Sequence, residues 1–450
     1  LGSKYRQRGA HGEAGGQAPA LWWASVLCFT VAAATGVLLR FGFWAGLPWS
    51  LEAGNVRHAH SHLMYFSWTT PAIIAFVGAA LCERERGPQA ARREADAARW
   101  GALGWGALLL GLASYPFFLI AGYGRVRLFG ASLPMASILS GLTIFSWYSF
   151  AVWYARRRRR VCLARSLPLW DAALFGLLLS TAGAWGRAAL QFSGTEAPIL
   201  EDLFVFLFLG AFSEGWLLLG VLGLAFSASE PLEESLPGRE ALRGREGDGA
   251  FGKAHLLLWA GLPWASLLGT RVFSGPAGPG GVAAAFESLA RVGAGLFLVG
   301  LGAYAGELVR HIRHGRRREW LPFLVFFLAH LVMQAALLVP GVVEWGERLG
   351  LRVLYLHVLA LGAVSSGLFA AARERWGQSA SPSPWAFSAG VLVLLGGLVA
   401  LAPPLLPGET GASRRALAAW TSIAPLLPVV VHALTALFSR TRPRAGAKAI

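Results

Sequence analysis

Six consecutive residues, Arg57-His58-Ala59-His60-Ser61-His62, bring three imidazoles to the mouth of a long apolar run. A fourth, His357, stands alone within Val353-Leu354-Tyr355-Leu356-His357-Val358-Leu359, and a fifth, His330, has Gln334 one turn further along the same helical face. Imidazoles are seldom placed in hydrocarbon without a partner, and several together point to a bound metal or haem. At helical spacing His58 and His62 share one face and His60 turns away from them. Spacing alone therefore leaves open which of the three would be a ligand. His255 and His432 read as helix-to-helix hydrogen-bond donors, and His11, His311 and His314 as solvated surface.

What must position these residues is a membrane bundle. Hydrophobic residues make up 55% of the 450 and charged residues only 14%, well below the quarter or so typical of a soluble domain. Twelve apolar segments follow one another at 20–45, 60–82, 99–122, 133–155, 167–189, 200–227, 253–273, 289–310, 320–342, 352–372, 385–405 and 416–438. Each reaches about the 20 residues a bilayer-crossing helix needs. The expected fold is all-α: a single transmembrane domain over 20–438, with basic tails at 1–19 and 439–450 and a longer loop at 228–252. The net charge of +16 would point to nucleic acid in a soluble protein. Here the arginines sit in short loops, where they set orientation and attract anionic headgroups, so no nucleic-acid partner is expected. Cys28, Cys82 and Cys162 are too far apart for a disulfide framework or a Cys-x-x-Cys-His haem attachment. The basic N-terminus runs into a long first span rather than a short apolar region with a cleavage site, so no cleavable signal peptide is expected.

Positive charge falls in every second gap: Lys4, Arg6 and Arg8; the 83–99 loop; Arg156 to Arg160 and Arg165; the 228–253 loop; Arg310 to Arg318; Arg373 and Arg375; and the tail after 438. The positive-inside rule then places both termini in the cytoplasm. This topology gives each histidine a depth. His58, His60 and His62 lie at the outer end of span 2. His357, five residues past Arg352 on span 10, lies about 7 Å down from the same surface. If the two spans are neighbours, they could clamp a planar cofactor between opposed imidazoles.

At this point the chain resembles subunit I of the heme-copper oxidases and nitric oxide reductases, whose core also has twelve spans. The stretch Ala59-His60-Ser61-His62-Leu63-Met64-Tyr65-Phe66, followed by Pro71-Ala72, is similar to that family's second helix, and the segment around His357 is similar to its tenth. The resemblance assigns His60 and His357 to the two axial positions of a low-spin, bis-His haem b. It puts Tyr355 where the family has the histidine of a second, high-spin haem. Arg187 and Arg271, at the outer ends of spans 5 and 7, become candidate partners of haem propionates, and His58, His62 and His330 the remaining candidate ligands. Glu214, at mid-membrane on span 6, reads as a proton-relay element or a hydrogen-bonded structural acid, and Glu307 lies nearer the cytoplasm on span 8.

The departures limit the activity. Span 6 has no histidine and span 7 only His255, so the family's three-imidazole copper site is not expected, nor is oxygen or nitric oxide reduction by its mechanism. Three classes of function follow. One is a b-type haem protein of electron transfer or respiratory gas metabolism, served by other respiratory subunits or a periplasmic electron donor. Another is a haem or metal transporter or assembly factor for respiratory oxidases. The last is a haem-free structural subunit of a respiratory complex.

Overall fold

The computed structural model describes the chain except residues 1–13, 85–89, 162–164, 229, 231–246, 269–280, 316, 403–409 and 442–450, and except some side chains at helix ends beside these segments. Arg271, Cys162 and His11 lie outside the described residues. The remainder is an all-α bundle whose single strand pair, Val126–Leu128 with Ala131–Leu133, forms a short hairpin between two helices.

Ten helices among the described residues are long and apolar enough to cross a membrane: Gln17–Ala45, Ala53–Arg84, Ala98–Ala121, Met135–Arg158, Ser166–Ser193, Pro198–Ser227, Ala285–Arg313, Arg318–Leu337, Leu351–Trp376 and Gly411–Ala436. These correspond to the expected spans 1–6, 8–10 and 12. The segments expected as spans 7 and 11 are helical over Gly247–Ala265 and Pro384–Val399. The chain is a multi-pass membrane protein. Span ends follow local chemistry. Pro198 and Pro384 open helices where the missing N–H costs nothing, Gly194 closes span 5 at φ 65°, and the Thr410 side chain accepts from Ser413 N at 3.2 Å. Span 2 starts at Ala53, earlier than its apolar run, so the histidine cluster sits on a formed helix and not at its entry.

Three spans widen into π-helical turns, at Leu63–Thr69 in span 2, Ala211–Leu219 in span 6 and Val358–Ser365 in span 10. Hydroxyls help to satisfy the displaced carbonyls: Thr69 donates to Met64 O at 3.1 Å and Ser365 to Ala360 O at 2.8 Å. Such turns occur often at functional sites, and these three lie in the helices that carry His60, Glu214 and His357. Indole donors tie the same helices together. Trp68 Nε1 donates to Ser365 Oγ and Trp216 Nε1 to Thr70 Oγ1, both at 3.1 Å.

Elsewhere small residues let helices touch backbone to backbone, as in membrane packing generally. A Cβ on Gly176 would lie 2.6 Å from Gly215 Cα and 2.9 Å from Ala211 O. Ion pairs knit the ends that carry the basic loops: Arg165 with Glu307 at 3.0 Å, Arg317 with Glu374 at 3.1 Å and Arg375 with Glu83 at 2.5 Å. Glu230 accepts from Ser166 Oγ at 2.7 Å and faces Arg84 at 3.6 Å. The loops that share positive charge in the sequence therefore share one face of the bundle.

Substituting Gly176 by Leu forces spans 5 and 6 apart and is expected to cost about 1–3 kcal/mol or more, by analogy with overpacked cores. Thermal unfolding in detergent should fall by several degrees, and an unchanged midpoint would contradict the close approach.

Candidate functional site

His60 and His357 are held in the same way. His60 Nδ1 lies 2.7 Å from Ala32 O on span 1, and His357 Nδ1 lies 2.7 Å from Val353 O one turn earlier on its own helix. A carbonyl only accepts, so each Nδ1 carries the proton and each Nε2 presents a lone pair. Neither Nε2 has a hydrogen-bond partner among the described residues, and neither is a buried orphan. Both rings are half-buried. This is the tautomer and orientation that metal-bound imidazoles adopt when a backbone carbonyl fixes the other nitrogen. A Cβ on Gly36 would lie 2.9 Å from His60 Cε1, so only glycine leaves room for this ring against span 1.

The two rings also share a depth. The Trp68–Ser365 bond joins spans 2 and 10 eight residues beyond each histidine, about 12 Å along each helix. The imidazoles are close enough to interact electrostatically.

His58 and His62 face another way. Both pack edge-on against the Tyr123 ring, at centroid separations of 4.7 and 5.8 Å. His62 Nε2 shares a hydrogen bond of 2.9 Å with the Tyr123 hydroxyl, and its ring stacks on Phe118 at 3.9 Å. Arg187 belongs to this cluster, with its guanidinium 5.0 Å from the Tyr123 ring centroid and 3.2 Å from Glu201. Burial pushes the Tyr123 hydroxyl above the usual phenol range, while Arg187 pulls it back. Arg187, expected beside the cofactor, is thus paired on the opposite face of span 2 from His60.

On the other side of span 10, Tyr355 joins a second set of residues. Its hydroxyl donates to Glu214 Oε1 at 2.5 Å and accepts from Gln334 Nε2 at 2.6 Å. Glu214 Oε2 and His330 Nε2 lie 2.9 Å apart. Glu214, His330 and Gln334 are all buried, with His330 fully so. This quartet joins spans 6, 9 and 10. Both functions of the Tyr355 hydroxyl are engaged within it, and His330 is directed to a carboxylate. The sequence placed Gln334 beside His330 but gave no sign that both would meet Tyr355 and Glu214.

The remaining candidates have local partners. His255 accepts from Trp259 Nε1 at 2.8 Å, His432 stacks on Trp23 at 5.9 Å, and Glu307 is paired with Arg165 and Arg310. Among the described residues, no group of three or more His, Cys, Asp or Glu side chains could hold a metal ion. Against models of known protein families and against curated proteins, the chain has no match.

The quartet makes a test of its own. His330→Leu leaves Glu214 Oε2 without its partner in the protein interior, and a buried polar group left unsatisfied costs about 1–3 kcal/mol. Adding Glu214→Leu to it should recover part of that loss, because contacting residues are not additive. Unfolding midpoints of the two single variants and the double variant measure this. Strictly additive losses would contradict the coupling.

Proposed function

We propose that the protein is a multi-pass b-type haem protein of electron transfer, with His60 and His357 as the two axial ligands of one low-spin haem. The observation that carries this reading is the pair of imidazoles with fixed tautomers. Each has its Nδ1–H committed to a backbone carbonyl, each has an unpartnered Nε2, and both stand at one depth on helices that run in the same direction. When bound, the haem would supply one-electron transfer at an iron with both axial positions filled by imidazole. Span 1 supports the site through Ala32, which orients His60, and Gly36, which seats its ring. The paired π-helical turns and the Trp68–Ser365 bond hold the two ligand-bearing helices in register.

The same reading takes the bundle as twelve spans with both termini cytoplasmic, in the inner membrane of a bacterium and similar to subunit I of the heme-copper oxidases. The haem then lies towards the outer face, within reach of a periplasmic electron donor. The Tyr355–Glu214–His330–Gln334 quartet fits a second haem poorly, since the Tyr355 hydroxyl is already engaged at both its donor and its acceptor side. Glu214 is read as a proton-relay element or a structural acid, hydrogen-bonded to Tyr355 and in contact with His330. A haem or metal transporter has less to recommend it, because His58 and His62 are packed against Tyr123 and Phe118 rather than free for capture.

Optical spectra of the detergent-purified protein test the assignment. About one haem per chain is expected, with the sharp reduced bands of a bis-imidazole b-type centre. His60→Ala and His357→Ala should each abolish that spectrum, while His58→Ala and His62→Ala should retain it. Haem-free wild-type protein from haem-replete cells would sink the proposal, as would a spectrum indifferent to His60 and His357.

A further inference from the structure

Arg40 stands out once the imidazoles are placed. It follows Ala32 and Gly36 at intervals of four on span 1, so the three share one helical face. The first gives its carbonyl to His60, the second makes room for the His60 ring, and Arg40 occupies the next turn outward. It is half-buried and lies within electrostatic reach of both His60 and His357.

An arginine near the end of a membrane helix usually directs its charge to the headgroups along a lipid-facing surface. Arg40 instead shares the face that meets the candidate ligands. It makes no hydrogen bond or ion pair with any described residue, and no carboxylate there acts on it. Arg187 and Arg352 differ in this respect. Arg187 is paired with Glu201, and Arg352 has Glu347 at 3.8 Å and the Phe206 ring at 4.3 Å. A partly buried guanidinium with no anion beside it calls for one. No described residue supplies it, and the face that Arg40 shares with Ala32 and Gly36 directs it to whatever the two imidazoles hold.

We infer that Arg40 binds the acidic edge of the cofactor, with its guanidinium pairing with a carboxylate on the periphery of the macrocycle seated between His60 and His357. This inference rests on the haem reading above. A planar guanidinium suits a carboxylate because two parallel N–H groups meet its two oxygens. The same positive charge would favour the reduced state of a bound haem, so Arg40 sets both retention of the cofactor and its potential.

The test uses the full-length protein in detergent, with wild type, Arg40→Gln, Arg40→Lys and Arg187→Gln compared. Three readouts are needed: the reduced and oxidised spectra, the rate of haem loss to a soluble haem scavenger, and the midpoint potential. Arg40→Gln should keep the bis-imidazole spectrum, lose haem about tenfold faster or more, and show a lower potential. Arg40→Lys keeps the charge but not the paired N–H geometry, and should hold the potential near wild type while losing haem faster. Arg187→Gln should match wild type in both. Wild-type retention and potential in Arg40→Gln would overturn the inference and leave the haem assignment standing, as would a larger effect from Arg187→Gln. If Arg40→Gln does not fold, unaltered haem loss in Arg40→Lys overturns it. A wild type without haem overturns the haem assignment and this inference with it.

Discussion

A polar group in hydrocarbon must find a partner inside the protein, because no water is there to supply one. That requirement organises this bundle. Trp68 reaches Ser365 and Trp216 reaches Thr70 across helix boundaries. Glu214 gathers Tyr355 and His330 around its two oxygens, and Gln334 completes the set. Where π-helical turns displace carbonyls, Thr69 and Ser365 turn their hydroxyls back to them. Some buried atoms, such as His330 Nδ1 and Trp147 Nε1, have no partner among the described residues, and the Nε2 atoms of His60 and His357 differ from these in lying on half-buried rings. Each sits on a ring whose other nitrogen is firmly held, and each is exposed to space and not sealed in the core.

The quartet and the imidazole pair occupy two sides of one helix. Tyr355 and His357 are two positions apart on span 10, which turns their side chains in different directions. One side is closed and polar, with every Glu214 oxygen engaged. The other is held open by Gly36 and by the fixed rings. Span 10 thus separates a polar cluster built on Glu214 from two imidazoles whose Nε2 atoms have no partner among the described residues, and the proposed division of labour follows from that separation.

Much of this was legible in the sequence, and the parts that were not share a cause. Hydropathy gave the helices, and the alternation of charged loops gave the ends that meet on one face, where Arg165–Glu307 and Arg317–Glu374 now pair. Counting residues along each helix gave depth, so the common level of His60 and His357 could be expected. Counting does not give direction about a helix axis relative to neighbours distant in sequence. Arg187 was therefore nominated on its depth and the family resemblance, yet it lies with Tyr123 and Glu201. Arg40 has the right depth and the right face, but it ends an ordinary apolar run and carries no motif. Ala32 and Gly36 are chemically silent until the His60 ring is set against them. The meeting of Glu214 with Tyr355 joins residues 141 positions apart, and no local pattern announces such a contact.

The claim on which the functional account turns is that two imidazole nitrogens meet one iron. Electron paramagnetic resonance of the oxidised, purified protein addresses it most directly, since the signal reports the spin state and the axial nitrogens of ferric haem. The account predicts a low-spin signal with two imidazole ligands, one of which is lost from the coordination sphere when either His60 or His357 is replaced. A high-spin signal in the wild type, or a low-spin signal that survives both replacements, would contradict it.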